Sequence, residues 1–326
     1  MSHTFHWNML IVNYLFLAGI SAGAFATSGL ANYLGGVKYE KIARTGAYIA
    51  PFPVLIGTTL LLFDLGQPFR FWRLFTTIEW TSPMSIGSWL LSLFLLVALM
   101  YFALWLPAKA RNFVRVPKTW KMVLYPLQWQ RLTQLEIRRG KLILGAIGLP
   151  LSVGVGMYTG ILLGAIPARP FWNTPMVAQL FLFSAMSTGV GSILFVRGLS
   201  RQGHPSKDES MLLNSVDTVL IVLEIFLIIP FLLHQTLSTW SNKEALELIL
   251  GGPYTGLFWI GVIGFGILIP LMIEIYELYH IVVKKHLPEV KINLGLISGG
   301  LVLVGGFILR WVFVYAGQIS HFLPHY

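Results

Sequence analysis

The stretch FDLGQPFRFWRLFTTIEWTSPMSIGSW, Phe63 to Trp89, separates two apolar runs. Before it the sequence reads PFPVLIGTTLLL (51–62), and after it LLSLFLLVALMYFALWL (90–106). Asp64 follows the first run almost directly, and Arg70, Arg73, Trp72, Trp80 and Trp89 crowd behind it. Long apolar runs joined by a short charged and aromatic turn mark a protein that crosses a lipid bilayer.

Composition agrees. Of 326 residues, 56% are hydrophobic and 11% charged, with a mean hydropathy of +0.72. Soluble domains carry about 25% charged residues. There is no cysteine, which excludes disulfides, thiol nucleophiles and cysteine-held zinc or iron–sulfur clusters within this chain. A net charge of +10 raises the question of nucleic acid. In a membrane protein, however, the distribution of charge matters more than its sum. The first Lys or Arg is Lys38, beyond the first apolar run, so that run is expected to be a spanning helix and not a cleaved signal.

Spanning helices need about 20 mostly apolar residues. Runs of that kind lie at 9–34, 45–65, 84–106, 141–166, 174–198, 212–235, 254–279 and 291–316. Lipid offers backbone groups no partner, so all eight are predicted to be helices. Pro51, Pro53, Pro150, Pro230 and Pro270 are predicted to kink them rather than end them. Of the 23 lysines and arginines, 18 fall in the loops after the odd-numbered runs or at their edges. The opposite side holds Arg70, Arg73, Arg169 and Lys243, and Arg310 lies inside the eighth run. The positive-inside rule then puts the odd loops in the cytoplasm and both termini outside. The basic excess reads as an orientation signal and contact with anionic lipid, not nucleic-acid binding. Trp7, Trp72, Trp80, Trp89, Trp172, Trp240, Trp259 and Trp311 fall on the outer side. They suit an interfacial belt, or a docking surface for an extracytoplasmic partner.

A short internal echo pairs FLAGISAG (16–23) with LFSAMSTG (182–189), on runs of the same direction. It suggests two parallel halves, residues 1–166 and 167–326, each a four-helix bundle. Gly19 and Gly23, and Gly160 and Gly164, have the spacing that lets helices approach closely.

Ionisable groups inside hydrocarbon are costly and point to function. One set lies near the outer face of the first half. Asn13 and Tyr14 sit one turn into the first run, Asp64 ends the second, and Tyr158 lies about 12 Å inside the fourth. A carboxylate, an amide and phenols at one depth suit a flat apolar ligand with two polar ends, such as a quinone. The alternative is a Tyr–Asp hydrogen bond that only joins helices. The second set comprises Asp217, Glu224, Glu274, Glu277, His234, His280 and Arg310. These carboxylates suggest a proton pathway. For Asp217 and Glu277 the alternative is snorkelling to the cytoplasmic interface, favoured for Asp217. Glu224, near the middle, must pair, carry a proton or line a wet cavity. A fixed Glu224–Arg310 pair joining helices is the competing structural role. A b-type haem takes two axial ligands at one depth. His234 and His280 close opposite ends of their runs, so no haem is expected.

Four segments are similar to one known family: NYLFLAGISAGAF (13–25), DLGQPFRFW (64–72), TSPMSIGSW (81–89) and MYTGILLGAIPARPFWNTP (157–175). They resemble the NrfD-type membrane subunits of polysulfide reductase, related respiratory molybdoenzymes and alternative complex III. The resemblance implies an all-α integral membrane protein of eight helices in two four-helix bundles, in a bacterial or archaeal cytoplasmic membrane. It implies a menaquinone or ubiquinone site near the outer face of the first bundle, drawn from Asn13 or Tyr14, Asp64 and Tyr158. Electrons would pass between that quinone and an extracytoplasmic iron–sulfur subunit of four-cluster type, itself serving a molybdopterin catalytic subunit. Arg70, Trp72, Arg169 and Trp172 would face that partner. Neither haem nor cluster would sit in this chain. Two other readings stay open at this point: a proton-coupled secondary transporter using the Glu224/Glu274 ladder, and a passive membrane anchor. The transporter lacks a clear inverted repeat, and the anchor has no use for Glu224 inside the bilayer.

Overall fold

The computed structural model describes residues 7–35, 37–64, 72–76, 79, 82–107, 133–199, 206–286, 288 and 293–321. Among them are eight helices long and apolar enough to cross a membrane. They are α1 (Met9–Gly35), α2 (Glu40–Asp64), α3 (Pro83–Trp105), α4 (Gln134–Gly164), α5 (Met176–Leu199), α6 (Lys207–Leu237), α7 (Leu257–Val282) and α8 (Leu294–Ile319).

All eight expected runs are helical, and the ends differ for a local reason. α4 starts at Gln134, seven residues before the apolar run, because Thr133 and Glu136 form a reciprocal capping box. α6 starts at Lys207 through the same device between Ser206 and Glu209. Both helices continue through their internal prolines, Pro150 and Pro230. α2 continues across Pro51 because Ala50 keeps helical geometry and donates to Gly46 O at 2.9 Å. The Ala50 carbonyl also accepts from the Ser21 hydroxyl of α1.

Small side chains decide which helices are central. In α1 and α5, 67% of the most apolar window is buried, against 33% for α2 and α3 and 28% for α6. α1 and α5 carry the Gly, Ala and Ser positions, whereas α6 is rich in Leu, Ile and Val that can face lipid. α1 packs on α2, α4 and α5, and α3 packs on α2 and α4. α5 packs on α6 and α8, and α7 on α6 and α8. Contacts between the two sets run α1 to α5, α4 to α5, α1 to α8 and α2 to α5.

The echo meets itself at this junction. Gly23 and Gly189 close the two matching segments, and their backbones touch. A side chain at Gly189 would collide with the backbone of Gly23 and Ala24, and one at Gly23 with Ala185 O and Met186 O. Backbone cannot give way as a flexible side chain can, and overpacking costs about 1–3 kcal/mol. Gly189→Val is therefore expected to lower the thermal midpoint of the purified protein in detergent by several degrees. An unchanged midpoint would mean that the two helices do not meet there.

Among the described residues, the basic connections after α1, α5 and α7 gather at one end. Lys38, after α1, lies 3.2 Å from Asp208 at the start of α6, and Lys207 donates to the Lys285 carbonyl after α7 at 3.0 Å. The other end brings together Trp7, the α4–α5 connection and the last turn of α8. Trp7 exchanges backbone hydrogen bonds with the Gln318 amide, and Arg169 donates to Ser320 O at 2.8 Å. Two features have no counterpart in the sequence reading. Helix Trp240–Leu250 packs on α6 and α8 between α6 and α7. The first half of α7, Leu257–Leu268, is wound as a π-helix.

Candidate functional site

Tyr14 faces from α1 toward α2, where its ring lies against Gly57, a position whose Cβ would stand 3.4 Å from Tyr14 Cδ2. It is fully buried, and its hydroxyl has no hydrogen-bond partner among the described residues. Tyr158 of α4 is buried too, and its phenol end rests on Gly87 of the SPMSIGSW segment; only glycine leaves room there. The helices that carry the two phenols, α1 and α4, pack against each other. Asp64 ends α2 half-buried and Asn13 is half-buried on α1. No hydrogen bond joins Asp64 to Tyr14, Asn13 or Tyr158, so a direct Tyr–Asp link between helices is absent among the described residues. What these helices present is a pair of neighbouring buried phenols, one with an unused hydroxyl, and a carboxylate at the rim of the same helix set. An unpaired buried hydroxyl costs about 1–3 kcal/mol, which a ligand carbonyl offsets by accepting from it.

The second set of ionisable groups is gathered tightly between α5, α6, α7 and α8. Asp217 and Glu274 are fully enclosed, and Glu224 and Glu277 are buried. The expected snorkelling of Asp217 is corrected here: Ser187 donates to its Oδ1 at 2.6 Å inside the protein. Glu274 accepts from Ser298 at 2.7 Å and from Thr218 at 3.1 Å, and Glu277 accepts from Asn214 at 2.6 Å. Snorkelling fails because these hydroxyls and the amide supply inside the bundle what water would supply at the interface. Oδ2 of Asp217 finds no donor among the described residues. A carboxylate only accepts, so this oxygen lacks a partner inside the described bundle.

Glu224 borders a cavity of about 10 Å³, on the order of the space one water needs. Ser184, Ser187, Thr188 and three glycines, Gly266, Gly305 and Gly306, share its wall. Arg310 is the only lysine or arginine buried among the described residues. It donates to Gly306 O at 2.6 Å, Ser184 Oγ at 3.2 Å and Leu15 O at 3.4 Å. Ser184 and Glu224 share the wall of that cavity. No direct ion pair within 4 Å joins acid and guanidinium among the described residues; Ser184, which Arg310 holds, lies beside both. His234 lies half-buried in the last turn of α6.

At the outer end the expected partner-facing residues divide. Trp72 is exposed. Arg169 is half-buried, tied to Ser320 and His321. Arg70 lies outside the described residues, as does Trp80. Trp172 does not face outward: only 1% of it is exposed, its indole donates to Phe313 O at 2.7 Å, and Trp7 stacks on it at 5.1 Å. The indole finds a carbonyl of α8 at the right height, and that bond together with the stacking draws the ring inward.

Sequence reasoning missed the neutral partners that make the carboxylates tenable: Ser184, Ser187, Asn214, Thr218 and Ser298. One signal was present. Asn214, Asp217, Thr218 and Glu224 recur at helical spacing on α6, and Ser184, Ser187 and Thr188 do so on α5. Buried Glu209, which meets Arg197 at 2.5 Å, was legible from its capping box with Ser206.

Among the described residues no group of three or more His, Asp or Glu side chains is arranged to hold a metal ion. Comparison with known proteins gives one consistent result. The family described as polysulphide reductase, NrfD, matches residues 1–321. Protein NrfD of Escherichia coli is 30% identical over 318 residues, covering 96% of this chain and 95% of that protein. A polysulfide reductase polypeptide of Wolinella succinogenes is 31% identical over 321 residues, covering 97% and 95%. A selenate reductase polypeptide of Mesobacillus selenatarsenatis is 28% identical over 338 residues, covering 98% and 75%.

Proposed function

This chain belongs to the polysulphide reductase NrfD family, as a multi-pass protein of the cytoplasmic membrane, and from that premise we propose that it is the quinone-reactive subunit of a respiratory oxidoreductase complex. Its eight helices form two four-helix bundles, α1–α4 and α5–α8, with both termini and the α2–α3 turn on the extracytoplasmic side. The grouping of basic loops at one end supports that orientation. Menaquinone or ubiquinone binds near the outer end of the first bundle and exchanges electrons with an iron–sulfur subunit docked outside. A molybdopterin subunit beyond it carries the terminal reaction.

The observation that carries this reading is the buried Tyr14 hydroxyl without a partner, next to Tyr158. Tyr14 and Tyr158 would donate to the ligand's carbonyl oxygens. Asp64, half-buried at the end of α2, would exchange protons with the outer water phase. A quinone supplies the two-electron chemistry when bound; these side chains orient it and handle its protons. Trp72 and Arg169 form the partner-facing rim, and Trp172 holds the rim together from inside. In the second bundle, Asp217, Glu224, Glu274 and Glu277 carry protons, with Arg310 and His234 on the outer side.

The test is direct. The full-length protein, purified in detergent, is expected to retain quinone extractable into organic solvent. It is also expected to bind added 2-methyl-1,4-naphthoquinone saturably, read from quenching of its tryptophans. No extractable quinone and no saturable quenching would overturn the assignment.

A further inference from the structure

Arg310 belongs to α8, yet one of its bonds reaches Leu15 O on α1, 295 positions earlier in the sequence. Leu15 directly follows Tyr14. On the other flank the same guanidinium holds Ser184 and Gly306, and both share a cavity wall with Glu224. Its remaining nitrogen, Nη2, has no hydrogen-bond partner among the described residues and lies by Gly19, where an added Cβ would stand 2.8 Å away. Phe16 and Phe181 lie over the group at 5.8 and 5.6 Å, and the side chain has no exposed surface. A full positive charge thus sits between the two halves, shielded from water and only partly satisfied. Charges act at longer range in such a medium than at a wet surface, and salt does not screen them.

We infer that Arg310 is a positioning residue that couples negative charge on a ligand in the Tyr14/Tyr158 site to the charge on Glu224. The inference rests on the proposed quinone site. One cation faces two places where an anion can form. Electrons entering a quinone put negative charge on the α1 side until protons follow, and Arg310 stabilises that charge. Ionised Glu224 competes for the same cation through Ser184. Ligand charge and Glu224 charge therefore oppose each other, and each favours a proton on the other. The groups acting on Glu224 are Arg310, Ser184 and Asp217, with Asp217 in turn facing Glu274. α1 and α5 contribute no ionised side chain to this junction. Gly19 provides the room, since a side chain there would push the guanidinium away from Leu15.

Two probes of nearly one shape separate coupling from mere structure. 2-Hydroxy-1,4-naphthoquinone is an anion at neutral pH, and 2-methyl-1,4-naphthoquinone is uncharged. Binding of both to the full-length purified protein is measured for the unaltered form, Glu224→Gln, Ser184→Ala and Arg310→Lys. Coupling energies of 1–3 kcal/mol correspond to about 5- to 150-fold in affinity. Glu224→Gln is expected to bind the anion at least about 5-fold more tightly, with the uncharged probe unchanged. Ser184→Ala is expected to move the anion the same way by a smaller factor, and Arg310→Lys to weaken it. Should Arg310→Lys fail to assemble, the two other variants still decide. Equal shifts for both probes, or an unchanged anion affinity in Glu224→Gln, would overturn the coupling. If neither probe binds the unaltered protein, the quinone site itself is wrong and the coupling falls with it.

Discussion

Glu224→Gln is expected to reduce the protons moved per electron to near zero in sealed vesicles carrying the assembled complex, while quinone-linked electron transfer remains measurable. Gln keeps the shape and puts a polar amide at the cavity wall, but it cannot take up and release a proton. Glu224 is the carboxyl that borders the water-sized cavity, and Asp217 lies two turns away on the same face of α6. Thr218, next to Asp217, donates to Glu274, and Glu274 is three residues from Glu277, which Asn214 holds. On the proposed pathway, removing the member nearest the cavity would leave the other three without an exit. The measurement is the proton-to-electron ratio from a pH-sensitive dye. A ratio equal to that of the unaltered complex would make Glu224 a packing residue and remove the pathway.

Tyr158→Phe and Asp64→Asn are expected to slow quinone turnover by about 10- to 150-fold each, the rate equivalent of losing about 1.5–3 kcal/mol from a hydrogen bond to a charged or polarised group. Both variants should assemble. Phe fits the surface that Gly87 offers the ring, and Asn keeps the size of Asp at the half-buried end of α2. The uncharged naphthoquinone should bind Tyr158→Phe more weakly. Asp64→Asn should keep its affinity and lose rate, because Asp64 is given a proton-exchange role rather than a binding contact. Turnover near that of the unaltered complex in both variants would remove this site from consideration.

The amino-acid sequence by itself determined the eight spans, the grouping of the basic loops and the candidate carboxylates and phenols. These depend on local, additive quantities. A run of about 20 apolar residues must be helical in lipid wherever it sits. The echo between FLAGISAG and LFSAMSTG was legible for the same reason, as a pattern of small residues. What it was for came only from the tertiary structure, where Gly23 meets Gly189. Trp172 read as an outer-face tryptophan, but it lies in the connection between α4 and α5, and a place in a connection does not say which way a side chain turns. The Phe313 carbonyl and Trp7 turned it inward. Asp217 read as an interfacial acid because Ser187 lies 30 positions away on another helix, and their meeting depends on which faces pack. The bonds from Arg310 to Leu15 and between Trp7 and Gln318 are the extreme cases, since no local pattern links residues at opposite ends of a sequence. The π-wound start of α7 belongs there too. A side chain at either Gly266 or Gly305 would collide with the other's backbone, so its path is tied to close packing on α8. Hydrophobicity fixes which segments enter the membrane. Only the packing of their faces decides which buried charges meet.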